Sequence, residues 1–230
     1  MRNAILMEHT TRTGNGRLAQ LGEHHVRNVG VVGSNPMPST KICILGIYMS
    51  TVGKALVTWE QFLELPDPEP GFHLELHDGE VVLVAPARPL HILVQVLLAE
   101  WLTAAAQGRG RGAQEFPYRP AENLQFWRAD VAYVPKEDWR AMRGNDYPIY
   151  APPLIVEVLS PSNRATKIKA QRNAAFAAGT QEFWIVDANE RSIQVFYPNA
   201  EERLYAFGES VPVAVLPGHS LPVAALFEEA

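Results

Sequence analysis

Leu154-Ile155-Val156-Glu157-Val158-Leu159-Ser160 sets one carboxylate into a run of branched and apolar residues. Leu154-Ile155-Val156 before the glutamate and Val158-Leu159 after it read as a strand buried on both faces. An ionised carboxylate there is costly unless a salt bridge or a bound metal compensates it. Upstream, Arg128-Ala129-Asp130-Val131-Ala132-Tyr133-Val134 repeats the pattern, with Asp130 opening an apolar strand. Downstream, Lys167 and Lys169 fall on a helix expected over residues 165–178, which Gly179 ends. Hard cations such as Mg²⁺ or Mn²⁺ take oxygen ligands, usually one or two carboxylates. Asp130 and Glu157, with the Val158 backbone oxygen, would supply them, and a nearby lysine would orient an attacking water. The three stretches are together the parts of a metal-dependent phosphodiester hydrolase.

Each of these residues also has a plain structural role open to it. A lone aspartate at a strand start is commonly a turn or cap residue, and Glu157 could be neutralised by a salt bridge alone. Lys167 and Lys169 are two apart, so a helix cannot aim both at one site. His91 reads as a helix-start residue, and Glu75 and Glu80 as charges flanking a hairpin.

Around this centre the sequence divides readily. Thr58-Trp59-Glu60-Gln61 reads as a capping box opening a short helix that Pro66 stops. Asp78-Gly79, between Phe72-His73-Leu74-Glu75-Leu76 and Glu80-Val81-Val82-Leu83-Val84, is a two-residue hairpin signal. Residues 90–106 have the apolar density of a long buried helix, and 108–112 read as a glycine-rich loop before a strand at 113–118. A brief helix is expected at 136–142, and Ser160-Pro161-Ser162-Asn163 as the cap of the helix after Glu157. Three strands are expected at 182–186, 192–197 and 203–207, then a last one at 211–215. Strands and helices mix, with hairpins at the ends and a strand–helix–strand unit between, so the fold class is α/β.

The 230 residues carry 20 basic and 25 acidic side chains, a net charge of −5. Without residues 1–48 the balance is 15 against 23. Bulk charge therefore does not draw this protein to nucleic acid, and any contact must be local or metal-bridged. The single cysteine, Cys43, excludes an intramolecular disulfide and suits a reducing, cytoplasmic setting. No apolar run approaches the roughly 20 residues that span a bilayer. Residues 1–48 keep neither a helical nor a strand period. Residues 16–36 resemble the product of a transfer-RNA gene read as protein. The expectation is an extension, disordered or translated from upstream of the true start, with Met49 as the natural first residue and 49–230 as a single domain.

From Trp59 to Phe227 the chain resembles the Uma2 family of endonucleases, a branch of the PD-(D/E)XK restriction-endonuclease-like superfamily. The matching pieces are Leu74-Glu75-Leu76-His77-Asp78-Gly79-Glu80, Pro89-Leu90-His91, the Asp130 stretch, Glu157-Val158-Leu159-Ser160-Pro161-Ser162 and Gly179-Thr180-Gln181-Glu182-Phe183-Trp184-Ile185-Val186-Asp187. The resemblance implies a central mixed sheet flanked by helices. It also implies DNA as substrate, Asp130 and Glu157 as metal ligands, Glu75 as a third acidic contributor, and an intracellular, often dimeric protein. Two departures stand out. Ala129-Asp130 replaces the usual Pro-Asp, and the position of the family's lysine is Gln171, which cannot carry a positive charge. Lys167, one turn earlier on the same face, could replace it, whereas Lys169 is at a poorer angle. The family's following tyrosine is Ala175 here, with Phe176 alongside. Three readings stay open: a DNA endonuclease using Lys167, an inactive scaffold binding nucleic acid or protein, and a hydrolase of smaller phosphoesters.

Overall fold

The computed structural model describes residues 56–144, 146–160 and 165–228. The expectations for residues 1–48, for Met49 and for most of the Ser160–Asn163 cap lie outside the described residues. Thr58 caps the first helix, α1 (Trp59–Leu63), and both bonds of the capping box with Gln61 are present. β1 (His73–His77) and β2 (Glu80–Val84) then pair through Asp78 and Gly79, whose φ values of 49° and 81° make the primed turn that matches strand twist.

α2 (Pro89–Ala106) follows, then β3 (Gly110–Tyr118), β4 (Gln125–Pro135), α3 (Lys136–Ala141) and β5 (Leu154–Val158). α4 (Ala165–Ala177) leads into β6 (Glu182–Asp187), β7 (Ser192–Phe196) and β8 (Glu202–Ala206). A small ribbon of β9 (Ser210–Pro212) and β10 (Ser220–Pro222) precedes a 3₁₀ turn, Val223–Leu226. Among the described residues one sheet holds eight strands in the order β2-β1-β4-β5-β6-β7-β8, with β3 also on β4. Its neighbours are antiparallel except β5 and β6, the pair bridged by α4, because a parallel pair needs a crossover.

Two apolar layers cover this sheet. Val94, Leu98 and Leu102 of α2 pack with Val131, Tyr133, Leu154, Val156, Val158 and the C-terminal Leu226 and Phe227. On the other face Ile168 and Ala175 of α4 meet Ala132, Val134, Ile155 and Phe183. All five residues of β5 are buried, as its unbroken apolar run requires. Contrary to the expectation that no apolar run approaches that length, α2, with 18 residues and a mean hydropathy of 1.4, is long and apolar enough to cross a membrane; here its buried residues, Leu98 and Leu102 among them, cover the sheet.

Of the run expected as a loop, Gly108 and Arg109 do turn the chain, but 110–112 already belong to the strand. Gly112 lies within β3 with α2 pressed onto it, so that a Cβ there would sit 2.3 Å from the Ala99 carbonyl oxygen. Backbone contact of that kind cannot yield as a side chain can. Gly112→Ala is therefore expected to cost about 2–3 kcal/mol, the upper end of overpacking penalties, read as a lower urea midpoint.

The alternation of β4 slips at one place. Trp127 and Ala129 belong to the α4-side layer together with Ala132 and Val134, while Val131 and Tyr133 face α2. β3 slips at the same rung, since Ala113, Phe116 and Tyr118 share one layer. Between Gln114↔Val131 and Phe116↔Ala129 lie Glu115 and Asp130, and Glu115 has φ 48°. A left-handed glutamate costs on the order of 1–2 kcal/mol, and such strain gathers where a side chain must be re-aimed. Asp130 is thus mid-strand at a kink, not at a strand start.

Candidate active site

The β4–β5 register runs through Ala132↔Ile155 and ends at Val131↔Val156, so Asp130 and Glu157 follow directly on adjacent strands just past the last pair. Asp130 Oδ2 accepts the Val158 backbone N–H at 2.7 Å. It is thus the amide of Val158, the expected backbone ligand, that meets the aspartate. Asp130 Oδ1 accepts from the Gln95 side-chain amide at 3.1 Å and lies 3.0 Å from His91 Nε2. Gln95 also donates to Glu115 at 2.6 Å. His91 and Gln95 are four apart and so share one face of α2. Burial pulls the His91 pKa down, but the Asp130 carboxylate and, more distantly, Glu115 outweigh it and raise it.

Glu157 comes from β5 and is 7% exposed. Gln171 of α4 donates to its Oε1 at 2.8 Å, so the side chain at the position where the resemblance implies a lysine contacts the carboxylate but brings no charge. Burial first, then the negative charges of Asp130 and Glu75, push the Glu157 carboxyl well above the usual carboxylate range, against the pull of Lys167 and Gln171. Tyr118, also buried, lies within the field of Glu157 and Glu75; burial and these charges push its hydroxyl well up.

Glu75 completes the group from β1. It is 2% exposed and engaged at both oxygens. Lys167 Nζ lies 2.8 Å and His77 Nε2 2.7 Å from Oε2. Oε1 accepts the Arg128 backbone N–H at 3.2 Å and lies 3.6 Å from His73 Nε2. Burial would raise its pKa, but His73, His77 and Lys167 together outweigh it and hold this carboxyl far below the ordinary range. Lys169 is exposed and makes no ion pair among the described residues.

All four expected site residues, Glu75, Asp130, Glu157 and Lys167, therefore gather in one place. Three carboxylates meet one lysine, a balance that a further cation would improve. Among the described residues no group of three or more His, Cys, Asp or Glu side chains is arranged to hold a metal by itself. Two carboxylates are nonetheless the donor number that Mg²⁺ usually takes from a protein. The donor chemistry of Asp130 and Glu157 fits such an ion. Sequence reasoning had set His91 aside and had not singled out Gln95, Glu115 or His77. The polar i, i+4 pair on an otherwise apolar helix was the available signal for the first two.

The sheet is thus mixed, its carboxylates stand on adjacent strands, and the lysine comes from the crossover helix. The family model Uma2, described as "Putative restriction endonuclease", matches residues 59–224. The chain belongs to the Uma2 family. It also resembles the crystal structure of "a putative nuclease belonging to DUF820" from Anabaena variabilis, with a TM-score of 0.65 and 22% identity. That likeness covers 75% of this chain and 98% of the other, and it concerns the fold. No curated protein matches.

Proposed function

We propose that this protein is a divalent-metal-dependent endonuclease that hydrolyses DNA phosphodiester bonds. The observation that carries the reading is that Asp130 and Glu157 come from adjacent strands into each other's field, beside a lysine held in place by a buried carboxylate. Asp130 and Glu157, with backbone oxygen from Val158, would hold Mg²⁺ or Mn²⁺. Such an ion, when bound, neutralises charge on the scissile phosphate and lowers the pKa of water. Gln95 and the Val158 amide orient the Asp130 carboxylate, so both of its oxygens have a set direction. Gln171 does the same for Glu157. Lys167 supplies the positive charge that faces negative charge developing on phosphate, and its N–H groups orient the attacking water. A cytoplasmic setting and homodimerisation belong to the same proposal.

Supercoiled plasmid incubated with the full chain, with Mg²⁺, Mn²⁺ or chelator, tests it. Nicking that needs the metal and stops with chelator is the expected result. Absence of cleavage, with metal binding established calorimetrically, would favour a second reading. In that reading the chain is an inactive scaffold that binds nucleic acid or protein, and the neutral Gln171 against Glu157 is the observation behind it.

A further inference from the structure

Lys167 is positioned from the hairpin strand as much as from its own helix. A lysine reaches through a flexible four-carbon stem, so α4 sets where its Cα sits but not where the ammonium rests. The ammonium rests on Glu75 Oε2, and that same oxygen takes the Nε2–H of His77 at 2.7 Å. His77 is itself fixed, because its ring stacks on the indole of Trp127 at 3.8 Å and 12°. Trp127 is 1% exposed and donates to Gln125, whose amide donates to Asp78 in the hairpin turn. The Arg128 amide pins the other Glu75 oxygen, so the carboxylate cannot rotate without breaking a bond on the β4 side. An unbroken run of contacts thus leads from the Asp78 turn to the lysine.

We propose that His77 is a positioning residue for Lys167, acting through Glu75. The inference rests on the nuclease reading for its catalytic meaning, though not for its geometry. A merely structural His77 would complete the hydrogen bonding of a buried carboxylate and nothing more. Loss of it as a positioning residue leaves Oε2 to the lysine alone while Oε1 stays on the Arg128 amide and His73, so Oε2 is left to swing about that fixed oxygen and the long stem to move with it.

Three variants separate these cases. His77→Leu keeps apolar bulk against Trp127 and removes the donor. His77→Gln keeps an N–H at similar reach. Glu75→Gln removes the charge that holds the ammonium. The first readout is the acetylation rate of Lys167 in the folded protein, followed by peptide mass spectrometry. It is expected to rise in His77→Leu, to rise further in Glu75→Gln, and to stay near wild type in His77→Gln. The second is plasmid cleavage, where His77→Leu is expected to lower kcat about tenfold with KM unchanged, less than the roughly 10²-fold that a 1 Å misplacement can cost, and His77→Gln to recover most of it. An unchanged Lys167 acetylation rate in His77→Leu overturns the proposal whatever the enzyme does. A raised rate in a protein that never cleaves DNA leaves the positioning in place and removes the nuclease reading instead. Should His77→Leu not fold, His77→Asn, which is polar but too short for Oε2, takes its place with the same expected rise.

Discussion

Glu157→Gln is expected to abolish metal-dependent cleavage and, without metal, to raise the melting temperature. Both effects have one cause. The carboxylate is nearly excluded from water, and its neighbours Asp130 and Glu75 carry the same charge, so ionisation is penalised in the folded state and not in the unfolded one. Glutamine keeps an oxygen for the Gln171 amide and removes the charge. At a chain length near this one, each kcal/mol recovered moves the transition by about 2–4 °C, so a rise of several degrees is expected.

The pH dependence follows from the direction of the shift. Because the folded state holds the Glu157 proton to higher pH than the unfolded state, unfolding releases it. Stability from this group therefore falls as pH rises from the ordinary carboxylate pKa through the raised folded value, and stays lost above it. Glu75 runs the other way, since its folded pKa is depressed. Its contribution is fully present above the ordinary carboxylate pKa and is lost as pH falls through the folded value. Calorimetric melts across this range, with and without Mg²⁺, should show the wild-type decline with rising pH flattened in Glu157→Gln. Retained cleavage would remove Glu157 from the mechanism, and an unchanged melting profile would show that its charge is already compensated.

The second large effect is expected at Lys167. Lys167→Ala should reduce cleavage by about 10²–10³-fold, the loss seen when a preorganised donor to developing charge is removed. The informative partner is Gln171→Lys in that background. Gln171 already touches Glu157 at 2.8 Å, so a lysine there places its ammonium at the carboxylates from one turn further along α4. Partial recovery of cleavage in the double variant is the expected outcome. Full activity in Lys167→Ala would show that Lys167 only neutralises Glu75. Loss without any recovery would tie the charge to the Glu75 side of the site.

Much of the fold was legible because it rests on short-range rules. The Thr58–Gln61 box, the Asp78-Gly79 turn and the buried-on-both-faces signature of β5 are each written in consecutive residues. What escaped is long-range. The glycines of β3 looked like a loop because their purpose is the approach of the Ala99 backbone, which no local pattern announces. Asp130 looked like a strand opener because the kink that aims it is shared with Glu115 on another strand. The hydrogen bond from Gln95 joins residues 35 apart, and that from the Arg128 amide to Glu75 joins residues 53 apart. His91 was discounted for standing alone in sequence, although α2 crosses the sheet where Asp130 emerges.

The crossover helix gives the site a freedom that its strands withhold. Asp130 and Glu157 are fastened between two apolar layers, and a one-residue slip of either strand would exchange its core and site faces. On α4, by contrast, positions 167 and 171 are two addresses on one face, about 6 Å apart along the axis at 1.5 Å per residue. A charge can change address there by two point substitutions without any strand moving. Across descendants of such a fold, the carboxylates should hold station while the cation wanders by whole turns. An alignment that insists on one column for the lysine would then pronounce working enzymes dead.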